Sequence, residues 1–307
     1  MSDERQSDTS DELRTGAAPV RLVRVEVGGR THRGKVRPSN DDNFHVLRFG
    51  RYLQTMASSL EDAHALEELD NIGYGFCVAD GLGGHPAGEV ASRLAIALLL
   101  DHVLGTPDWI FAREGVHLAA VMDRYARRFG RVNDAVVARG RADPRLGGMA
   151  TTLSVALSLG DDLIVAHVGD SPVYLFRGGR LDRLTRDHTA PAAGPGVPTA
   201  DATRFHIALT HAIGIPDTGG SPDLIRLKLA DQDRLLLCTD GLTDMVDDNA
   251  IAAQLGRASA ADTCAALLDL ALDRGGRDNV TVVVADYRFH DGARTHSPPP
   301  PGAGSGP

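Results

Sequence analysis

The segment that decides the fold class runs from Thr152 to Val168 and reads TLSVALSLGDDLIVAHV. It contains two apolar runs of strand length, Thr152 to Leu159 and Leu163 to Val168. The residues between them, Gly160 to Asp162, are typical of a turn, so the segment predicts a β-hairpin. Because a hairpin joins antiparallel neighbours, this prediction argues against a doubly wound parallel sheet.

The sequence on either side of this hairpin alternates between strand-like and helix-like patterns. Short apolar runs predict seven more strands: Arg21 to Val27, Tyr74 to Ala79, Val173 to Phe176, Leu181 to Leu184, Leu224 to Leu229, Arg234 to Cys238 and Val280 to Tyr287. Apolar residues three or four positions apart predict three helices: one that begins at Pro86 and includes Leu99, Val116 to Ala138, and Ala261 to Leu272.

The overall composition excludes several classes of protein. Of the 307 residues, 42% are hydrophobic and 24% are charged, as in an ordinary globular protein. The formal net charge of −9 argues against a nucleic-acid partner. No apolar run approaches the ~18 residues of a membrane helix, and the first residues do not resemble a secretory signal. The three cysteines lie far apart, which predicts a reducing, cytoplasmic location without disulfides.

Both ends of the chain differ in composition from the rest. Residues 1–18 are rich in polar and charged side chains, which predicts a disordered tail. Residues 291–307 end in a run of proline and glycine that cannot form a core. Between these tails we expect a single domain, residues 19–290.

Aspartates recur where predicted strands end or turns begin. They are the pair Asp41 and Asp42, followed by Asp80, Asp170, Asp240 and Asp278. One such aspartate alone is usually a turn or cap residue. Several together are harder to explain in that way, because a buried carboxylate is costly unless a cation or hydrogen bonds compensate its charge. Clusters of oxygen ligands suit Mg²⁺ or Mn²⁺.

Two of these aspartates, Asp80 and Asp240, directly precede a glycine. Such a pair is typical of a tight turn in which the glycine adopts a positive φ. A missing side chain would also let a backbone carbonyl approach an ion. For Gly81 the two explanations are compatible.

Seven short motifs, most of which contain these aspartates, follow one another in a fixed order. They are RPSNDDNF (37–44), VADGLGGH (78–85), GMATT (148–152), VGDS (168–171), LTRDHT (184–189), LCTDGL (237–242) and RDNVT (277–281). Each motif is weak alone. Together they resemble the metal-dependent serine/threonine protein phosphatases of the phosphatase 2C-like family, in a bacterial form, over roughly residues 21–287.

The resemblance implies an α+β fold, a four-layer α-β-β-α sandwich in which two antiparallel sheets are flanked by helices. It also implies two Mn²⁺ or Mg²⁺ ions in a cleft at one edge. Asp80 matches the aspartate that bridges both ions, and the carbonyl of Gly81 matches a ligand of the first. The remaining ligands of the second ion would be Asp240, Asp278 and a carboxylate of the Asp41 and Asp42 pair. Asp170 matches a ligand of a third, weaker ion near Asp240.

The same resemblance implies hydrolysis of phosphoserine and phosphothreonine in proteins by a metal-bound water or hydroxide. Arg37 matches the arginine that binds the substrate phosphate, for which a planar guanidinium is suited. The expected partners are phosphorylated proteins and a serine/threonine kinase that shares them. Two alternatives stay open: a phosphatase fold that has become an inactive or weakly active interaction module, and a phosphoesterase for small molecules. The intact aspartates disfavour the inactive module.

The sequence departs from the family pattern beside the expected site. Asp41 stands where the family usually has glutamate, so it would reach its ion only through water. Leu82 stands where some relatives carry a histidine proposed as general acid. His85 is a candidate for that role, although a structural role at a helix start is favoured. We also expect an amphipathic helix in the insert 48–72 and a flap over Thr189 to Ala208.

Overall fold

Strands account for most of the regular structure in the computed structural model, which describes residues 21–50, 73–83, 86–105, 118–191 and 207–291. The strands are β1 (Arg21–His32), β2 (Asn43–Phe49), β3 (Gly73–Ala79), β4 (Gly81–Leu82), β5 (Ala150–Thr151), β6 (Leu153–Leu159), β7 (Asp162–Val168), β8 (Val173–Arg177), β9 (Arg180–Arg183), β10 (Thr189–Pro191), β11 (Ile207–Leu209), β12 (Asp223–Lys228), β13 (Arg234–Cys238) and β14 (Val280–Asp291). The helices are α1 (Ala87–Gly105), α2 (Leu118–Ala142), α3 (Asp240–Thr243), α4 (Asp248–Leu255) and α5 (Ala260–Asp273).

The strands form two large antiparallel sheets. One has the order β1-β14-β13-β8-β9 and the other β12-β7-β6-β3-β2. The predicted hairpin is confirmed, because β6 and β7 pair from Leu153 opposite Val168 to Leu159 opposite Asp162. Its turn uses Gly160 at a φ of 59°, a left-handed conformation that glycine adopts without strain.

The alternation of side chains along each strand sorts the core into three apolar layers. In β13, Leu235 faces the space between the two sheets, whereas Leu236 faces α3, α4 and α5. In β3, Val78 faces the other sheet, whereas Cys77 faces α1 and α2. Full burial of one such leucine is worth about 1.5–3 kcal/mol. The layers are therefore helices, sheet, sheet and helices, and the predicted α-β-β-α sandwich is confirmed.

The predicted helices and strands are present, with shifted ends. Helix α1 begins one residue after Pro86, and α2 continues four residues past the predicted end at Ala138. The sequence patterns did not predict β2, α4 or the shortest elements. Strand β2 lies at a sheet edge and has no alternation of buried and exposed residues, which explains why it was missed. None of the described helices is long and apolar enough to cross a membrane.

Several sequence predictions lie outside the described residues. They concern the tails, the insert from residue 51 to 72, the flap from 192 to 206, and His85. The ends of the flap are described and pair as β10 and β11, with Thr189 opposite Leu209. They place the start and finish of the flap next to each other.

Candidate metal and phosphate site

A cavity of about 380 Å³ lies where β3 and β13 end and β14 begins. Six of the predicted site residues line it: Arg37, Asp41, Asp80, Gly81, Asp240 and Asp278. The other two, Asp42 and Asp170, are not in its lining. The ends of strands from both sheets meet here, so aspartates from distant parts of the sequence come together.

Asp80 is positioned through its backbone by two fully buried threonines. Its amide donates to Thr152 Oγ1 at 2.9 Å. Its carbonyl accepts from Thr151 Oγ1 at 2.7 Å and from the Thr152 amide at 2.9 Å. The polypeptide at the end of β3 is therefore fixed, and the carboxylate is presented to the cavity.

Thr152 also connects Asp80 to the segment that carries Asp170. Its hydroxyl shares a 2.7 Å hydrogen bond with the hydroxyl of Ser171, and both side chains are fully buried. Thr152 belongs to the GMATT motif, whose pattern predicts no role for it beyond the start of a strand. The presence of Thr152 in a motif indicated that it matters, but only the fold shows that its hydroxyl joins the Asp80 and Ser171 segments.

Gly81 and Gly241 permit a close approach of backbone segments. A Cβ on Gly81 would lie 2.1 Å from the carbonyl oxygen of Gly88 and 2.7 Å from that of Asp41. A Cβ on Gly241 would lie 1.8 Å from the carbonyl oxygen of Asn279. Neither glycine has a positive φ, so of the two interpretations given for these Asp-Gly pairs the left-handed turn is wrong at both positions. The chain needs glycine here because there is no space for a side chain.

Asp80 and Asp240 occupy an environment that disfavours their charged forms. Desolvation raises the pKa of both carboxyl groups well above the ordinary value, and repulsion from neighbouring aspartates raises it further. For Asp80 the strongest of these neighbours is Asp42, and for Asp240 it is Asp170. One oxygen, Oδ1 of Asp240, is buried without a hydrogen-bond partner among the described residues. A bound cation would favour ionisation of this group.

The pair Asp41 and Asp42 divides between two environments. Asp41 lines the cavity, and its amide donates to Oδ1 of Asn279 at 2.8 Å. Its own Oδ1 accepts from Ser39 Oγ at 3.0 Å. Since adjacent residues of an extended chain point to opposite sides, Asp42 faces the interior instead.

Asp42 is buried behind the cavity and only 3% exposed. Its Oδ2 accepts hydrogen bonds from Thr239 Oγ1 at 2.8 Å and from Thr281 Oγ1 at 2.7 Å. Its Oδ1 has no partner among the described residues. Burial raises the pKa of Asp42 to about 7, against the two hydroxyl donors that lower it.

Arg37 contributes a cation to the cavity lining. Its Nη2 donates to Asp278 Oδ2 at 2.6 Å, and its side chain remains 56% exposed. The pKa of Arg37 is raised by this hydrogen bond. Asp278 therefore holds the guanidinium in place, while the remaining N–H donors are accessible from solvent.

Asp170 lies beside Asp240, and a further acidic residue joins them. Burial raises the pKa of Asp170 to about 6, and Asp187 and Asp244 raise it further. Burial also raises the pKa of Asp244. Asp244 was not among the predicted site residues, although it directly follows α3, four positions after Asp240, and its amide donates to the Asp240 carbonyl at 2.7 Å.

The donor chemistry of the site fits hard divalent cations, because all its candidate ligands are carboxylate or carbonyl oxygens. The unpartnered oxygens of Asp42 and Asp240 point to the same chemistry. Among the described residues, no three acidic, histidine or cysteine side chains already form a complete ligand group. One of the candidate ligands, Asp278, is paired with Arg37 in a salt bridge.

Comparisons with known proteins agree on one family. The family model of protein phosphatase 2C matches residues 50–271. The first and last of the seven motifs lie outside this range. Over 281 residues the chain is 39% identical to serine/threonine protein phosphatase PstP of Mycobacterium tuberculosis, covering 91% of this chain and 48% of PstP. The chain thus spans about half the length of this relative.

Two further similarities cover nearly all of the other protein. Serine/threonine phosphatase stp of Listeria welshimeri is 30% identical over 275 residues, covering 87% of this chain and 98% of stp. The crystal structure of the PstP catalytic domain in complex with two manganese ions is similar with a TM-score of 0.64. Its sequence is 31% identical, and the similarity covers 87% of this chain and 100% of that domain.

Proposed function

This chain belongs to the protein phosphatase 2C family, and on that premise we propose that it is a metal-dependent serine/threonine protein phosphatase. One observation carries the proposal. Crowded carboxylates with raised pKa values share a single cavity with an exposed arginine. A phosphate ester needs cations around its oxygens and an activated water, and such a site is built for both. We propose residues 19–290 as the catalytic domain.

We propose that Asp80, Asp240, Asp278 and Asp41 hold two divalent cations, together with the carbonyl of Gly81. When bound, the cations lower the pKa of water and stabilise the charge that develops on the phosphate. Asp42 lies in the layer behind this set, where Thr239 and Thr281 hold its Oδ2. Asp170, with Asp244 beside it, would serve a third ion adjacent to Asp240.

We assign substrate binding to Arg37. Its bond to Asp278 orients the guanidinium at the cavity, where its free donors can bind two phosphate oxygens. Leu82 lines the same cavity and has no proton to donate, so the leaving group is protonated by another group or by water.

The substrates we propose are phosphorylated proteins, including those of a cognate serine/threonine kinase. The relatives named serine/threonine phosphatases support this class over small-molecule phosphate esters. We propose a cytoplasmic location, because all three cysteines are free and buried and therefore suit a reducing compartment.

The test is phosphate release from a phosphothreonine peptide with Mn²⁺, with Mg²⁺ and with a chelator. We expect release only with metal, and a fall of about 10³-fold or more in Asp240→Asn, which removes a proposed metal ligand. The matched control is Asp269→Asn, which makes the same change of charge at an exposed position on α5 and should keep full activity.

Two results would overturn the proposal. If the wild type releases no phosphate from peptides or p-nitrophenyl phosphate, and calorimetry detects no Mn²⁺ binding, the chain is an interaction module. If it prefers sugar phosphates or nucleotides to phosphopeptides, it is a phosphoesterase for small molecules.

A further inference from the structure

An exposed, basic loop leads from β1 to the cavity. It runs from Arg33 to Arg37, and four of its five residues are exposed, the exception being Gly34. Val36 is 65% exposed, which is unusual for a large hydrophobic residue. Such a residue at the entrance of a site is a candidate contact for a partner.

The loop is held rigidly against the segment that carries Asp278. The Lys35 amide donates to the Gly276 carbonyl at 2.7 Å. The side-chain amide of Asn279 donates to the carbonyls of Arg33 at 2.9 Å and Ser39 at 2.8 Å. Because these bonds involve the loop backbone, its side chains are presented in a fixed arrangement at little entropic cost on binding.

Three cations of this region form what we call the basic rim: Arg33, Lys35 and Arg277. All three side chains are exposed, and none forms an ion pair within the described residues. Arg277 directly precedes Asp278, and its charge acts on Asp244, which places it on the same side of the molecule as the site. In a chain of net charge −9, the rim is a local patch of opposite sign beside an acidic cavity.

We propose that the basic rim and Val36 bind the residues that flank the phosphorylated residue. The preferred substrates then carry acidic side chains next to phosphoserine or phosphothreonine, with an apolar side chain that contacts Val36. This inference rests on the proposed function and names the substrate class. An exposed ion pair typically changes an equilibrium up to about fivefold, and several act together in steering a charged segment to the site.

The test compares two phosphothreonine peptides that differ only in their flanking residues, acidic in one and neutral in the other. For the wild type, we expect kcat/KM to favour the acidic peptide by about fivefold or more at low salt, and less at high salt. In the double variant Lys35→Glu, Arg277→Glu, we expect this ratio to fall to one or below. Val36→Asp should lower kcat/KM for both peptides.

The matched control reverses two other exposed cations, Arg131→Glu and Arg257→Glu, which changes the net charge equally. This variant should keep the wild-type preference. An equal loss of preference in the control, or no preference in the wild type, would overturn the inference. Fluorescence anisotropy of labelled peptides measures the same ratio without turnover. A chain that hydrolyses neither peptides nor p-nitrophenyl phosphate but still binds the acidic peptide better would contradict only the proposed function.

Discussion

Two groups of aspartates in this molecule have the same side chain in opposite surroundings. In the sheet β1-β14-β13-β8-β9, Asp286 on β14 and Asp233 directly before β13 are buried, and each is held by an arginine. Arg177 donates to both oxygens of Asp233 at 2.7 and 2.6 Å, and Arg234 donates to both oxygens of Asp286. At the cavity, Asp80 and Asp240 have mainly other carboxylates as neighbours.

This difference separates aspartates that stabilise the fold from those that serve a reaction. A bidentate arginine satisfies a carboxylate completely and leaves nothing for a ligand. A crowded carboxylate without such a partner lowers the stability of the folded state unless a cation is bound. The identity of the partner, more than the depth of burial, distinguishes the two groups.

The largest expected effect is the loss of a structural pair. Asp286→Asn leaves the charge of Arg234 without its partner in an interior where that side chain is only 12% exposed. We expect the free energy of unfolding to fall by about 3–5 kcal/mol in chemical denaturation, while kcat of the folded enzyme stays near wild type. Asp240→Asn should show the reverse: wild-type stability when both proteins are compared in a chelator, and no activity when both are compared with Mn²⁺. An equal loss of stability in both variants would remove the distinction.

The next largest effect concerns Thr152, whose hydroxyl positions Asp80 at the cavity. Thr152→Val keeps the shape of the side chain but leaves the Asp80 amide and the Ser171 hydroxyl without their partner. We expect Mn²⁺ affinity, measured by calorimetry, to fall by about tenfold, as for other residues that orient metal ligands. Thr152→Ser restores the hydroxyl and should stay within about threefold of wild type. If Thr152→Val lowers only the Tm and leaves Mn²⁺ affinity unchanged, the hydroxyl has no positioning role.

The smallest effect concerns pH. Burial raises the pKa of Asp42 to about 7 and that of Asp170 to about 6, so in metal-free protein their contribution to stability is complete below about pH 4. It is lost as the pH rises through 6 to 7, because the folded state then holds charges that the unfolded state hydrates better. Mn²⁺ competes with these protons. The Tm difference between Mn²⁺ and chelator should therefore widen by a few degrees from pH 5 to pH 8 in calorimetric scans. A constant difference would show that these groups do not titrate with the metal.

The sequence predicted the parts of the fold that depend on local patterns. The turn between Leu159 and Asp162 is recognisable from its glycine. The buried face of α2 is recognisable from the spacing of Tyr125, Phe129 and Val132. Short elements such as β4 and β5 have two residues each, too few for any period, and exist only because Gly81 and Thr151 meet in space.

The candidate site was predicted as a set of residue types and not as a geometry. Motif order brought Asp80 and Asp240 to attention, but nothing in the sequence shows that Asp41 faces the cavity while Asp42 faces Thr239. Asp286 lies within β14 and Asp240 just after β13, and only the arginine partner, distant in sequence, shows which of the two has its charge compensated. Contacts of this kind depend on the three-dimensional arrangement of the chain.

Asn279 has a consequence for how such a protein can change over generations. It fastens the loop before the cavity through the carbonyls of Arg33 and Ser39 and holds the amide of Asp41 at the same time. Since every loop group it holds belongs to the backbone, mutations at Lys35 or Val36 leave the frame intact. A lineage can thus acquire new targets by a few codon changes and inherit its chemistry unaltered.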